Sequence, residues 1–148
     1  MGSFRYKFEK ILAVREKEKA DAQAKYSESV NKFEEVANKL YKLLKKKEDL
    51  LEYQQEKMKL GLSVMELRQH QVFMDNVEKT IVHYQQQVIV ARQRMEAYQA
   101  VLIERNIEVK KYVKIKEKQF ERFIEASKAE ESIQMDDLSI QTFISKEK

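Results

Sequence analysis

Beyond Ser3 the chain contains a single glycine, Gly61, and it has no proline anywhere. Turns call for residues that accept a left-handed backbone or a preset φ, and glycine and proline supply these most readily. A chain of 148 residues with so few of them reverses direction rarely, so it must build few and very long elements. Its hydrophobic fraction of 43% is more than a disordered segment carries, because disorder follows from too little apolar surface to offset ordering entropy. The longest apolar runs, such as Val88-Ile89-Val90-Ala91, fall far short of the ~18 residues that a membrane span needs.

The pattern of apolar residues identifies these long elements as helices of a coiled coil. Alternating steps of three and four from Met74 give Val77, Ile81, Tyr84, Val88, Ala91, Met95, Tyr98, Leu102, Arg105, Val109 and Tyr112. Only Arg105 is charged, and a strict seven-residue repeat makes partner helices wind left-handed about each other. The first half gives a second seam: Val30, Phe33, Ala37, Leu40, Leu44, Leu51 and Met58, with Lys47 and Gln54 as polar interruptions. Upstream lie an apolar cluster of Phe4, Phe8, Ile11 and Leu12 and a small-residue stretch of Ala20, Ala22 and Ala24, with a register shift expected near Tyr26.

The reversal falls at "KLGLSVMELR". Gly61 suits a left-handed helix stop. Ser63 and Glu66 have the spacing of a capping box, and Leu62 and Leu67 that of a hydrophobic staple. The reading is therefore all-α, a single long antiparallel two-helix coiled-coil hairpin over residues 1–148. The first helix is expected near 3–60, the turn near 61–63, the second helix near 64–133 and a weakly ordered tail over 134–148. At 1.5 Å per residue the first arm is about 85 Å long. Facing residues should carry numbers totalling about 123 or 124, placing Leu40 on Tyr84, Phe33 on Ala91, Leu12 on Tyr112 and Phe4 on Phe120. Two charge pairs follow, Arg105 with Glu18 and Arg15 with Glu108, and such pairs fix register more than they stabilise.

No catalytic, cofactor or metal constellation is visible. His70 falls on the seam near the turn and His83 on an outer position, too far apart to share a metal. Carboxylates are plentiful, but a rod has no cleft to bury them and tune their acidity, so an enzyme is not expected. Without cysteine there is neither a disulfide nor a thiolate site, which fits a reducing compartment, and the first residues lack the apolar core of a signal peptide. The net charge of +4 is spread among mixed signs, which points away from nucleic acid. Surfaces remain. Leu43, Leu50, Phe73, Val82, Val90 and Val101 lie off the expected seam, the first three toward the turn, and such clusters suggest docking. The open end gathers Arg5, Lys7, Lys10, Lys110, Lys111, Lys114, Lys118 and Arg122.

Four segments, "FRYKFEKILAVREKE", "FMDNVEKTI", "ARQRMEAYQAVLIERNIEVKKYVKIKEKQFERF" and "IQMDDLSIQTF", resemble the flagellar export FliJ family over essentially the whole chain. Tyr6, Phe8, Val14 and Arg15 match its N-terminal motif in looser spacing, and Met135, Asp136, Asp137 and Leu138 match its late one. The resemblance implies a hairpin like the central shaft of rotary ATPases, in a non-enzymatic, cytoplasmic component of the flagellar type III export apparatus. It implies three partners: the hexameric export ATPase, the cytoplasmic domain of the membrane export gate, and export chaperones. Membrane association, at the inner face of the cell membrane at the flagellar base, would come only through these partners. By the same resemblance the gate would contact Leu43, Leu50, Phe73, Val77, Thr80 and Tyr84. The basic open end, with Arg5, Lys7, Lys10, Arg15, Lys110, Lys114 and Lys118, is the expected ATPase surface. The alternatives are a generic coiled-coil adaptor, an injectisome stalk protein, or a helical arm that grips RNA.

Overall fold

The computed structural model describes residues 2–147. The chain is all-α, two long helices packed against each other as an antiparallel hairpin. Helix α1 spans Glu9–Leu60 and α2 spans Val64–Glu147. Gly61 between them has φ 88°, the left-handed geometry that costs a side-chain-bearing residue about 1–2 kcal/mol. The Glu66 amide donates to Ser63 Oγ at 3.2 Å, so the forward half of the cap forms as expected. Leu62 is half-buried, whereas Leu67 is 38% exposed.

Both outer boundaries differ from expectation. α1 starts at Glu9, not near residue 3, and residues 2–6 carry no regular structure. Phe4, Tyr6 and Phe8 alternate with Arg5 and Lys7. An extended chain turns such alternate residues to one side, whereas a helix would scatter them. At the other end α2 continues to Glu147 instead of ending near 133. No glycine or proline interrupts this stretch, and local propensity carries the helix onward. Every described side chain from Lys128 onward is exposed.

The chain divides into two compact units, one made of the two chain ends up to Ala20 and from Ile103, the other of Asp21–Leu102. In the end unit Tyr6, Leu12 and Val109 form the buried cluster, flanked by Phe4, Phe8, Tyr112, Val113 and Ile115. Phe4 meets Phe120 edge-on at 5.2 Å between ring centroids and Phe123 at 5.5 Å. The Tyr6 hydroxyl donates to the Tyr112 carbonyl at 2.8 Å. Arg105 bonds Glu18 at 3.5 Å and Lys116 bonds Glu9 at 3.3 Å. The Phe4–Phe120 and Glu18–Arg105 pairings follow the expected register, and Tyr112 packs against the cluster that holds Leu12. Arg15 and Glu108 also lie beside one another in that register, lining one groove with Glu104, Arg105 and Ile107, but among the described residues no ion pair joins them. Arg15 turns along its own helix to Glu18 at 3.1 Å, one turn away, where geometry already aligns i and i+3.

In the unit of Asp21–Leu102 the buried apolar residues are Ala22, Val36, Met74, Val77, Ile81 and Ala91, with Ser29 as the buried polar member. Ser29 Oγ donates to the Tyr26 carbonyl at 2.6 Å, which removes the penalty of leaving a hydroxyl unpartnered. Lys47 bonds Glu78 at 3.6 Å, Tyr53 stacks on His70 at 6.3 Å, and Arg92 lies over the Phe33 ring at 5.8 Å. These contacts keep the same register.

The α2 seam runs as expected through Met74 to Tyr112, every member buried or half-buried, Arg105 included. The α1 seam is corrected. It follows Phe8, Leu12, Arg15, Lys19, Ala22, Tyr26, Ser29, Phe33, Val36, Leu40, Leu43, Lys47, Leu50, Gln54 and Lys57 in unbroken alternating steps, and all of these are buried or half-buried. No register shift occurs near Tyr26. Leu44, Leu51 and Met58, expected on the seam, are 45%, 44% and 58% exposed, and Leu43 and Leu50, expected off it, are on it. The physical reason is that register is shared between helices. The continuous α2 seam dictates which α1 residues face it, and the long stems of Lys19, Lys47 and Lys57 cover apolar surface while their charged heads reach water.

Candidate interaction surfaces

Two surfaces stand out, one in each unit. Near the turn, Met65, Arg68, Gln69, Val72, Phe73 and Asn76 line an open groove of about 370 Å³. Met65, Val72 and Phe73 are 72%, 61% and 44% exposed. Phe73 sits one residue before the seam member Met74, so it flanks the seam instead of entering it. Lys46 Nζ stands 5.0 Å from its ring centroid, an attraction worth about 0.5–1 kcal/mol at an exposed site. A partner that covers Phe73 therefore meets an aromatic face already held by a cation.

The other residues of the expected gate surface are placed differently. Thr80 is exposed, with Oγ1 donating to the Asn76 carbonyl at 2.9 Å. Tyr84 is half-buried, with Lys39 Nζ 5.9 Å from its ring. Leu43 and Leu50 are half-buried seam residues. Val77 is only 6% exposed and supports this region from the core without offering a surface. Phe73 and Thr80 are thus the exposed members of the set. Val82, Val90 and Val101 are exposed at 57%, 48% and 40%, as their off-seam positions require.

In the end unit Arg5, Lys7, Lys10, Lys110, Lys114 and Lys118 are all exposed. Among the described residues none of the six stands in an ion pair; the lysine of this unit that does is Lys116. Lys110, Lys111 and Lys114 share a shallow groove with Ile107. Ile107, 59% exposed, adjoins these lysines, and Ile103, 54% exposed, lies one helical turn before it; both were missed in the sequence because single off-seam isoleucines carry no pattern. Arg15, assigned to the same basic set, is half-buried. Its guanidinium is held charged by the hydrogen bond and charge of Glu18, and it serves the fold.

The Tyr6 phenol adds a titratable contact. Burial first, then Tyr112 and Glu9, hold its pKa above the usual tyrosine value. A raised folded-state pKa favours the protonated form, so the contribution is complete below the unfolded value near 10 and is lost as pH rises through the folded one. The end unit should therefore loosen above about pH 10. Tyr6→Phe should remove this alkaline component of the pH–stability curve while lowering stability at neutral pH by about 1 kcal/mol. Denaturant titrations at several pH values measure both effects.

Among the described residues no group of His, Cys, Asp or Glu is placed to hold a metal ion, and no helix is long and apolar enough to cross a membrane. His70 is half-buried at the seam and His83 is exposed beside Tyr84.

An antiparallel pair of long helices with one basic surface and one apolar surface defines a coiled-coil protein whose distinguishing features lie on its outside. The model of the flagellar FliJ protein family matches residues 4–148. The flagellar FliJ protein of Bacillus subtilis strain 168 is 44% identical over 142 residues, covering 96% of this chain and 97% of that one. The chain belongs to the flagellar FliJ protein family and is a flagellar export component. No solved structure matches it significantly.

Proposed function

We propose that the chain is the non-enzymatic central stalk of the export apparatus, binding the hexameric export ATPase through its end unit. We further propose that its turn region contacts the cytoplasmic domain of the export gate, that it assists export chaperones, and that it reaches the inner face of the cell membrane only through these partners. The observation that carries the ATPase reading is the row of exposed lysines at 110, 114 and 118, none in an ion pair among the described residues. Unpaired like charges on one stretch of helix repel one another, and an acidic counter-surface relieves that repulsion and speeds encounter. The gate reading is supported by exposed Phe73 beside Met65 and Val72, since aromatic anchors in apolar surroundings dominate binding energy.

The two contacts separate by mutation. Replacing Lys110, Lys114 and Lys118 with glutamate should weaken ATPase binding by about 100-fold at low salt and leave gate binding intact, because each reversal turns attraction into repulsion. Phe73→Ala should weaken gate binding by about tenfold or more and leave ATPase binding intact. Binding titrations of each variant against each purified partner decide the matter. Unchanged ATPase affinity in the triple variant at low salt removes the basic-surface reading.

A further inference from the structure

The α2 seam continues past the point where α1 and the segment before it cover it. In the same alternating steps from Tyr112 it passes Lys116, Gln119 and Phe123, all half-buried, and Phe4 covers Phe123 at 5.5 Å between ring centroids. The next members are Ala126, Glu130, Ile133, Asp137, Ile140 and Ile144, and all of them are exposed. Ile133, Ile140 and Ile144 are each more than half exposed. This stretch is about 27 Å long at 1.5 Å per residue, and the repeat stays in phase throughout. Upstream the same repeat is the interface with α1, so its continuation specifies a helix as the missing partner.

The charges on this stretch are of one sign. Between Lys128 and Lys146 the charged residues are Glu130, Glu131, Asp136 and Asp137, and among the described residues none of them stands in an ion pair. Glu130 and Asp137 lie on the seam itself, with Asp136 beside it. Where α2 carries a seam charge under α1, the facing helix answers it: Arg105 meets Glu18 at 3.5 Å and Lys116 meets Glu9 at 3.3 Å. By the same rule the missing helix answers Glu130 and Asp137 with cations, because a carboxylate covered without a partner is costly. The tail of a second copy does not supply them. Parallel pairing sets Glu130 on Glu130 and Asp137 on Asp137, and antiparallel pairing that faces Ile133 with Ile140 sets Asp137 against Asp136. An anionic membrane is repelled in the same way.

We propose that the exposed seam marked by Ile133, Ile140 and Ile144 is a docking site for a helix of a partner protein, with apolar residues at heptad spacing and lysine or arginine set opposite Glu130 and Asp137. The site goes beyond the ATPase and gate readings and does not rest on them: it lies past Lys118 on α2 and offers the opposite charge. A helix of this length has little stability alone, because nucleation is costly and packing of one face supplies most of it. Binding therefore orders the tail as well as covering it.

The test uses the full chain and two fluorescent three-heptad peptides, identical except that two seam positions a heptad apart are lysine in one and glutamate in the other. Anisotropy should show the lysine peptide binding at least about tenfold more tightly. Amide exchange over residues 126–146 should slow when it binds. The double variant Ile133→Ser/Ile140→Ser should abolish that binding with the urea midpoint of the hairpin unchanged, since both side chains are exposed. Glu130→Lys/Asp137→Lys should reverse the preference between the peptides, and Phe73→Ala should change neither affinity. Equal affinity of the wild type for both peptides, or full binding by the serine variant, overturns the proposal. So does exchange over 126–146 that bound peptide leaves unchanged, or a concentration-dependent dimer of the wild type that the serine variant converts to monomer.

Discussion

Leu12→Ala should destabilise the end unit by about 2–4 kcal/mol, the lower to middle range for emptying a buried leucine site. Leu12 is 4% exposed and shares its cluster with Tyr6 and Val109. Two helices bury only one stripe each, and no side chain is described as fully enclosed, so water and neighbouring rings fill part of the space left behind. That holds the cost below the maximum for a globular core. The fractional loss is nevertheless large, because folded domains have only about 5–15 kcal/mol in total. The readout is the urea midpoint followed by far-ultraviolet circular dichroism, with amide exchange showing protection lost first around residues 6–16 and 105–115. Ile11→Ala is the control. Ile11 is 39% exposed and its truncation should cost well under half as much.

Ile81→Asp should cost more, above about 4 kcal/mol at neutral pH, because it removes a packed side chain and leaves a carboxylate with no partner. Ile81 is 5% exposed on the α2 seam, whereas Val82 beside it is 57% exposed. Val82→Asp should therefore change stability by no more than about 0.5 kcal/mol. The contrast between adjacent positions tests the seam itself. The penalty also has a signed pH dependence. Burial raises the new carboxyl's pKa in the folded state above its unfolded value near 3.9. Below that value both states are protonated and the charge-burial cost vanishes, leaving the packing loss. As pH rises through the folded pKa the full cost appears. Urea midpoints at pH 3.5 and pH 7 should therefore differ far more for Ile81→Asp than for the wild type.

The α2 seam was legible because its positions from Met74 to Tyr112 are apolar save one, so pattern and burial coincide. The α1 seam was half hidden. Arg15, Lys19, Ser29, Lys47, Gln54 and Lys57 occupy it, while Leu44, Leu51 and Met58 sit one residue away at heptad spacing and imitate it. Nothing within α1 alone decides between the two stripes; the partner helix does. The turn was legible because its signals are local: a left-handed glycine, a capping serine and a register that follows from both. The start of α1 was misjudged because Phe4, Phe8, Ile11 and Leu12 are spaced as on one helix face, while Tyr6, which completes the extended alternation with Phe4 and Phe8, falls off that face. At the surfaces, the lysines and Phe73 could be read because exposure is their default off the seam. Val77 could not be assigned from the gate motif, because one residue type serves core and contact alike, and only burial separates them.

The central claim, one chain serving as the stalk of a hexameric ATPase, is tested most directly by the stoichiometry of the complex. Purified full chain is titrated into the assembled export ATPase hexamer, and the mass of the complex is measured by light scattering at saturation. The account predicts one chain per six ATPase subunits, with the complex lost when Lys110, Lys114 and Lys118 are replaced by glutamate. Saturation at six chains per hexamer, or a complex that forms equally well with the reversed charges, would contradict it.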